Sequence, residues 1–270
     1  MKQYYFISGL PRSGSTLLSA ILRQNPDFYA DITSPIESIV GTSIEIITGS
    51  QHNLAVTENQ RKNLLYGIFE GYYQQIENPV IFDTSRRWTK KTNLLQTLFP
   101  YTKILCCVRD IVSILNSFEI IASKNPFYIN DYTRGKINVF ERCDKIMDFA
   151  NDGFVGKSLI YLKEGYARNP EIIHIIEYEN LCKEPEKTMR EVYEFIEKPY
   201  YSHDFENVEY SNENFDKVCN IENLHTVRRK VEYKPPRCIL PPEIVKEYNK
   251  KNMEFWRKNN KTNPNIVEYQ

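Results

Sequence analysis

The sequence has no apolar run near the roughly 18 residues that a membrane-crossing helix requires, so insertion into a bilayer is not expected. Its opening, Met1-Lys2, passes directly into a strand-like segment ending at Ser8-Gly9, without the apolar stretch of a secretory leader. An excess of one charge is lacking too. Lysine plus arginine equals aspartate plus glutamate at 35 each, so no global field would draw the chain to nucleic acid or to an anionic membrane. Any anion it binds must be caught by a local arrangement of donors. Cys106, Cys107, Cys143, Cys182, Cys219 and Cys238 form no C-x-x-C pair and show no metal-ligand spacing. A reduced, cytoplasmic protein without a metal is the expectation. Internal repeats and low-complexity tracts are absent as well.

What is present is enough apolar residue, 41% of 270, to bury a full core. One domain is expected over residues 1–258, and a polar tail over 259–270 is expected to be poorly ordered. Short β-branched or aromatic runs at Gln3 to Ser8, Val80 to Thr84, Lys103 to Arg109 and Ile172 to Tyr178 read as buried strands. Leu17, Leu18, Ile21 and Leu22 form a helical stripe after Gly14. Ile111, Ile114, Leu115 and Phe118 form another after Asp110, which is placed to cap it. Further helices are expected over about 57–77, 91–99, 134–150, 154–168, 185–197 and 242–258, with Pro185 and Pro242 in first-turn positions. Strand alternating with helix argues for an α/β, three-layer fold, a central parallel sheet flanked by helices. In such sheets ligands bind at the carboxyl ends of the strands. Chemistry should therefore collect just past Ser8, Thr84, Arg109 and Tyr178.

Residues Gly9 to Thr16 read GLPRSGST, the spacing of a phosphate-binding loop, except that Ser15 stands where a nucleotide triphosphatase carries lysine. Glycines let the backbone turn so that successive N–H groups and the helix start face an anion, and the hydroxyls of Ser13, Ser15 and Thr16 add donors. An ordinary strand-to-helix turn would need none of this. Without the lysine that neutralises a transferring phosphoryl group, a kinase or nucleotide hydrolase is the weaker reading. A second candidate lies at the end of KILCCVR. There Arg109 offers a guanidinium fork suited to a phosphate dianion, and Ser117, on the polar side of the following helix with Ser113 and Asn116, faces the same cleft. The bland alternative is a surface Arg109 paired with Asp110.

At this point the sequence resembles the sulfotransferase family. Pro11-Arg12-Ser13-Gly14-Ser15-Thr16 is similar to its loop for the 5′-phosphosulfate group, and Arg109 with Ser117, eight residues later, to its pair for the 3′-phosphate. Arg12, where the cytosolic steroid and phenol enzymes usually carry lysine, looks more like the bacterial and tyrosylprotein branches. Phe82 to Trp88, Tyr178-Glu179-Asn180-Leu181 with Glu184-Pro185, and Leu224 to Arg229 extend the resemblance over about Tyr4 to Tyr248. It implies a P-loop-like fold, 3′-phosphoadenosine 5′-phosphosulfate as co-substrate and no metal, with Tyr178, Arg228 and Arg229 joining the donor site.

Sulfuryl transfer in line between two oxygens needs a base for the acceptor proton and cations on the leaving phosphate. Glu37, in Thr33-Ser34-Pro35-Ile36-Glu37-Ser38 past a second strand, resembles the glutamate of the tyrosylprotein branch and is the first candidate for the base. Its rival explanation is a first-turn helix glutamate favoured by the helix dipole. His225 is the second candidate. His174 reads as a core residue, and His52 and His203 as solvated loop residues. Arg12 and Arg86 are the expected stabilisers of the leaving group, with Arg87 and Lys90 near enough to exchange roles with Arg86; Trp88 reads as packing. Arg228 to Lys230 read either as a solvated basic face or as a contact to the 3′-phosphate. The acceptor is a hydroxyl whose class stays open among peptide tyrosine, sugar, lipid and small phenol. Phe118 to Tyr132 and Tyr200 to Asn223, irregular and aromatic-rich, are the segments expected to shape its pocket. No feature specifies an oligomeric state. A binding protein for adenosine bisphosphate that lacks the chemistry is the remaining alternative.

Overall fold

Successive side chains of an extended apolar run point to opposite faces of a sheet, so an unbroken run needs a core on each face. The structure, a computed structural model, describes residues 2–49, 52–124, 138–151, 153–210, 225, 227–249 and 254–259. Its strands are β1 (Gln3–Gly9), β2 (Phe28–Ala30), β3 (Val80–Thr84), β4 (Ile104–Val108) and β5 (Ile173–Glu177). They form one sheet in the order β2-β3-β1-β4-β5, with every pairing parallel. β1 pairs β3 on one side and β4 on the other, which makes the end of β1 the point where the chain's winding reverses.

The helices are α1 (Ser15–Leu22), α2 (Ile36–Thr48), α3 (Glu58–Tyr72), α4 (Thr92–Leu98), α5 (Ile111–Lys124), α6 (Val139–Met147), α7 (Phe154–Arg168), α8 (Tyr178–Lys183), α9 (Pro185–Phe195), α10 (Pro242–Tyr248) and α11 (Glu254–Asn259). Tyr4, Phe6, Ile81, Ile104, Cys106, Ile173 and Ile175 face a core completed by α2 to α7 and by Ile244 and Trp256. Tyr5, Ile7, Val80, Phe82, Leu105, Cys107 and Ile176 face a second core built with α1, α8 and α9. The three-layer α/β expectation is met. Among the described residues no helix is long and apolar enough to cross a membrane.

Several boundaries differ from the sequence reading. Arg109 lies just beyond β4, and Tyr178 opens α8 instead of closing β5. The stretch expected as one helix over 242–258 is two, because Asn249 adopts an extended backbone that ends α10. α2 and α8 are additional helices. The α2 sequence IESIVGTSIEIIT is rich in β-branched residues of weak helix propensity, and packing of Ile36 and Val40 into the core decides its state. The capping box of Thr57 and Gln60 starts α3, and Asn138 caps α6 by accepting from the Glu141 N–H at 2.9 Å. Residues 134–137 of the expected helix, 125–132 and 211–223 of the expected acceptor segments, and 260–270 of the tail lie outside the described residues. Within those acceptor segments Phe118 to Lys124 continue α5, a correction to the irregular reading.

Candidate functional site

The loop after β1 is built from left-handed backbone. Gly9 (φ 113°), Arg12 (φ 58°) and Gly14 (φ 94°) all lie in that region, which turns successive N–H groups toward one concave side. Gly9 is forced to be glycine, since an added Cβ would lie 2.1 Å from the Cys107 carbonyl oxygen. The Leu10 N–H donates to that same carbonyl at 2.8 Å, so the loop is anchored to β4. Ser15 then opens α1, whose first-turn N–H groups have no partner within the helix. The buried Ser13 hydroxyl is turned inward, to the carbonyls of Leu10 and Cys107. This corrects the expectation that Ser13 adds a side-chain donor for an anion; Ser15 and Thr16 stay half-exposed at the helix start, and Pro11 is buried.

The second motif meets the first. Arg109, only 8% exposed, donates from Nη1 to the Arg12 carbonyl at 3.2 Å and stacks its guanidinium 4.3 Å from the centroid of the Tyr178 ring. Its Nε is buried without a hydrogen-bond partner among the described residues. Arg12 in turn donates from Nε to the Ser117 hydroxyl at 3.1 Å. Asp110 is not the partner of Arg109. It accepts from the Ser113 N–H at 2.7 Å and starts α5. Asn116, read as lying on the polar side of the helix, is buried and clamps a later segment, donating to the Arg237 carbonyl at 3.1 Å and accepting from the Ile239 N–H at 2.9 Å. Tyr178 lies between Gly14 and Arg109, where a Cβ on Gly14 would come within 2.7 Å of its ring. Burial pushes its phenol up to about 12, and the charges of Arg109 and Arg228 pull the other way.

A third cluster forms past β3. Glu37, in the first turn of α2, is 4% exposed. Its Oε2 pairs with Arg87 at 3.5 Å and its Oε1 with Lys91 at 3.3 Å. Arg86 is exposed and sits over the Phe154 ring at 5.4 Å, while Lys90 sits over Tyr161 at 5.3 Å. The cation pairing with Glu37 is thus Arg87 with Lys91, and Lys91 is a residue the sequence reading did not single out. Neither was Asp83. It is fully buried, accepts from Ser34, Tyr73 and Trp88, and is pushed above the ordinary aspartate range by burial. Trp88 is core packing, fully buried against Phe6 and Phe69.

The remaining candidates divide. His225 is half-buried. Arg228 is exposed and its charge bears on Tyr178 and Cys182. Arg229 turns to the Asn207 carbonyl oxygen of the side chain at 2.8 Å, and Lys230 pairs with Glu206 at 2.7 Å. His174 lies in the core as expected. His203 does not lie in solvent: it is 8% exposed among Tyr193, Tyr200, Tyr201 and Phe205, and its burial lowers it to about 4. A polar-looking loop sequence concealed an aromatic box.

Comparisons with known proteins bear on the family and the fold. A family model described as the Sulfotransferase family matches residues 5–202. No curated protein sequence is a significant match. The crystal structure of a sulfotransferase from Alicyclobacillus acidocaldarius is similar with a TM-score of 0.52 at 15% identity, covering 76% of this chain and 85% of that one. The sulfotransferase domain from the Synechococcus PCC 7002 olefin synthase gives 0.50 at 17% identity, covering 88% and 90%. Retinol dehydratase in complex with androsterone and the inactive cofactor PAP gives 0.51 at 14% identity, covering 98% and 82%. At these identities the likeness is one of fold.

Proposed function

The chain belongs to the sulfotransferase family, and from that premise we propose that it moves a sulfuryl group from 3′-phosphoadenosine 5′-phosphosulfate to an acceptor hydroxyl. The observation that carries the reading is the bond from Arg12 to Ser117, which brings the loop after β1 and the motif after β4 to one place at the carboxyl edge of the sheet. A donor with two separated phosphate groups explains why one edge should hold both motifs. Retinol dehydratase, similar in fold, holds PAP, which supports the same class of nucleotide here.

The residues present fit such a donor. Three left-handed positions and the first turn of α1 supply backbone donors for the 5′-phosphosulfate end. The buried Nε of Arg109, without a partner among the described residues, and the Ser117 hydroxyl suit the 3′-phosphate, with Tyr178 and Arg228 beside them. Ser15 in place of the Walker lysine, and Arg12 within the loop, argue against phosphoryl transfer from a nucleoside triphosphate. Arg12 also places the chain nearer the bacterial and tyrosylprotein branches in our reading.

In the proposed step the acceptor oxygen attacks sulfur in line. Its bond to sulfur forms as the bond from sulfur to the bridging phosphate oxygen breaks. Glu37 takes the acceptor proton, and the products are a sulfate ester and adenosine 3′,5′-bisphosphate. Arg12 and Arg86, with Arg87 able to take the place of Arg86, offset the negative charge that grows on the leaving phosphate. His225 is the rival base. Isothermal titration tests the donor site. We expect metal-independent binding of adenosine 3′,5′-bisphosphate that Arg109→Ala weakens by more than about tenfold, or 1.4 kcal/mol, and that exceeds binding of magnesium-ATP. Preference for magnesium-ATP, or indifference to Arg109, would overturn the reading in favour of a kinase or hydrolase. Glu37→Gln tests the base: turnover should fall at least about a hundredfold with bisphosphate affinity unchanged.

A further inference from the structure

Among the described residues, Asp83 is the one carboxylate at the carboxyl edge of the sheet with no surface of its own. It sits near the end of β3, 0% exposed, yet among the described residues it pairs with no cation, and the proposed transfer chemistry gives it no part. Its three donors come from three different segments. The Ser34 hydroxyl donates to Oδ2 at 2.6 Å, the Tyr73 hydroxyl to Oδ2 at 2.5 Å, and the Trp88 indole N–H to Oδ1 at 2.6 Å.

Each segment has a distinct errand. The oxygen of Ser34 accepts from the Ile36 N–H at 3.2 Å, so Ser34 relays Asp83 to the first turn of α2, where the next residue is Glu37. The Ser34 N–H also donates to the Thr84 carbonyl at 3.2 Å, tying that loop to the strand end that holds Asp83. Trp88 opens the short 3-10 turn Trp88–Lys91, with Arg86 and Arg87 just before it and Lys91 at its end. Tyr73, by contrast, follows α3 and carries no candidate catalytic group.

Glu37 pairs with Arg87 and Lys91 across the gap between the Ser34 and Trp88 segments. Both sides of that pairing are therefore hung on one buried carboxylate. Arg87 is 61% exposed at its side chain, so its pairing with Glu37 has little power to fix the distance, whereas Lys91, 16% exposed, meets Glu37 from the end of the turn that Trp88 opens. A buried carboxylate with three short donors does have that power.

We propose that Asp83 is the positioning residue of the transfer site: it sets where Glu37 stands relative to the cations of residues 86–91. This rests on the sulfuryl-transfer reading and deepens it. Two of the three hydrogen bonds should then matter for turnover and the third only for stability.

Turnover is followed as release of adenosine 3′,5′-bisphosphate from the sulfonated donor, with water and a panel of hydroxyl acceptors, and bisphosphate affinity by calorimetry. Ser34→Ala and Trp88→Phe should each lower kcat at least tenfold with bisphosphate affinity within twofold of wild type, and Ser34→Thr, which keeps the hydroxyl, should restore kcat to within threefold. Tyr73→Phe should lower the melting temperature as the other two do and leave kcat within twofold. Asp83→Asn should show the combined loss, and where it fails to fold the three partner variants decide. Equal loss of kcat in Tyr73→Phe and Ser34→Ala, or no rescue by Ser34→Thr, would reduce Asp83 to a structural residue. A wild type that binds the bisphosphate but turns over no donor would instead overturn the parent reading, and this inference with it.

Discussion

At the scale of single residues, two glycines of one loop make opposite demands. At Gly9 a Cβ meets backbone, the Cys107 carbonyl at 2.1 Å. At Gly14 it meets only the Tyr178 ring, at 2.7 Å. Both have positive φ, which costs an alanine about 1–2 kcal/mol. Gly9→Ala must also push β1 from β4, so we expect it to lose at least about 3 kcal/mol of stability, seen as a shifted urea midpoint or as insoluble protein. Gly14→Ala should remain folded but displace Tyr178 from Arg109, and its signature in calorimetry is weakened binding of the bisphosphate. Residues of this kind were legible: the loop spacing and the pair of Arg109 with Ser117 stand in the sequence, because each motif needs fixed residue types at fixed offsets. Asp83, Lys91 and Asn116 were not. A carboxylate inside VIFDT has no periodicity to mark it, and its donors Ser34 and Tyr73 lie 49 and 10 residues away.

At the scale of elements, strands were read more accurately than helices. A parallel sheet buried on both faces leaves unbroken apolar runs, and β1, β3, β4 and β5 carry them. α2 left no such trace, being rich in β-branched residues and started by packing and by the Ser34 bond to the Ile36 N–H. β5 carries a testable liability of its own. His174 is buried against Phe195, and desolvation lowers it to about 4, well under the ordinary histidine value. Its unfolded form takes up a proton near pH 6.5, while its folded form resists until about pH 4. Unfolded chains then bind more protons, so this contribution is fully present above pH 6.5 and is lost as pH falls toward 4. The slope is about 1.4 kcal/mol per pH unit at most. His203 adds a second contribution of the same sign, while the raised carboxyls of Asp83 and Glu177 oppose both. The comparison must therefore be made with a variant. In His174→Leu, urea unfolding between pH 6.5 and 4.5 should lose less stability than in wild type, and parallel pH profiles would show that His174 is not the group responsible.

At the scale of the whole molecule, the balance of 35 basic and 35 acidic residues means that the proposed anionic donor would have to be held by local geometry. That geometry is a junction. Arg12, Arg109 and Tyr178 stand just beyond β1, β4 and β5, and their mutual contacts join three strands that are otherwise linked through ladder and core. A ligand bridging them binds the folded state alone and stabilises it by mass action, about 2.7 kcal/mol at a hundredfold excess over Kd. For a chain near this size each kcal/mol shifts the melting temperature by about 2–4 °C. Adenosine 3′,5′-bisphosphate at that excess should therefore raise Tm by about 5–10 °C, equally with EDTA and with magnesium. Arg109→Ala at the same nucleotide concentration should lose most of the shift. Gly14→Ala should lose a comparable part, because the Tyr178 ring is common to both contacts. A larger shift from magnesium-ATP, abolished by EDTA, would mean that the junction was built for a triphosphate and that Ser15 does not exclude one. A shift by the bisphosphate that survives Arg109→Ala would mean that the loop after β1 holds the nucleotide alone and that the meeting of the two motifs is a matter of packing.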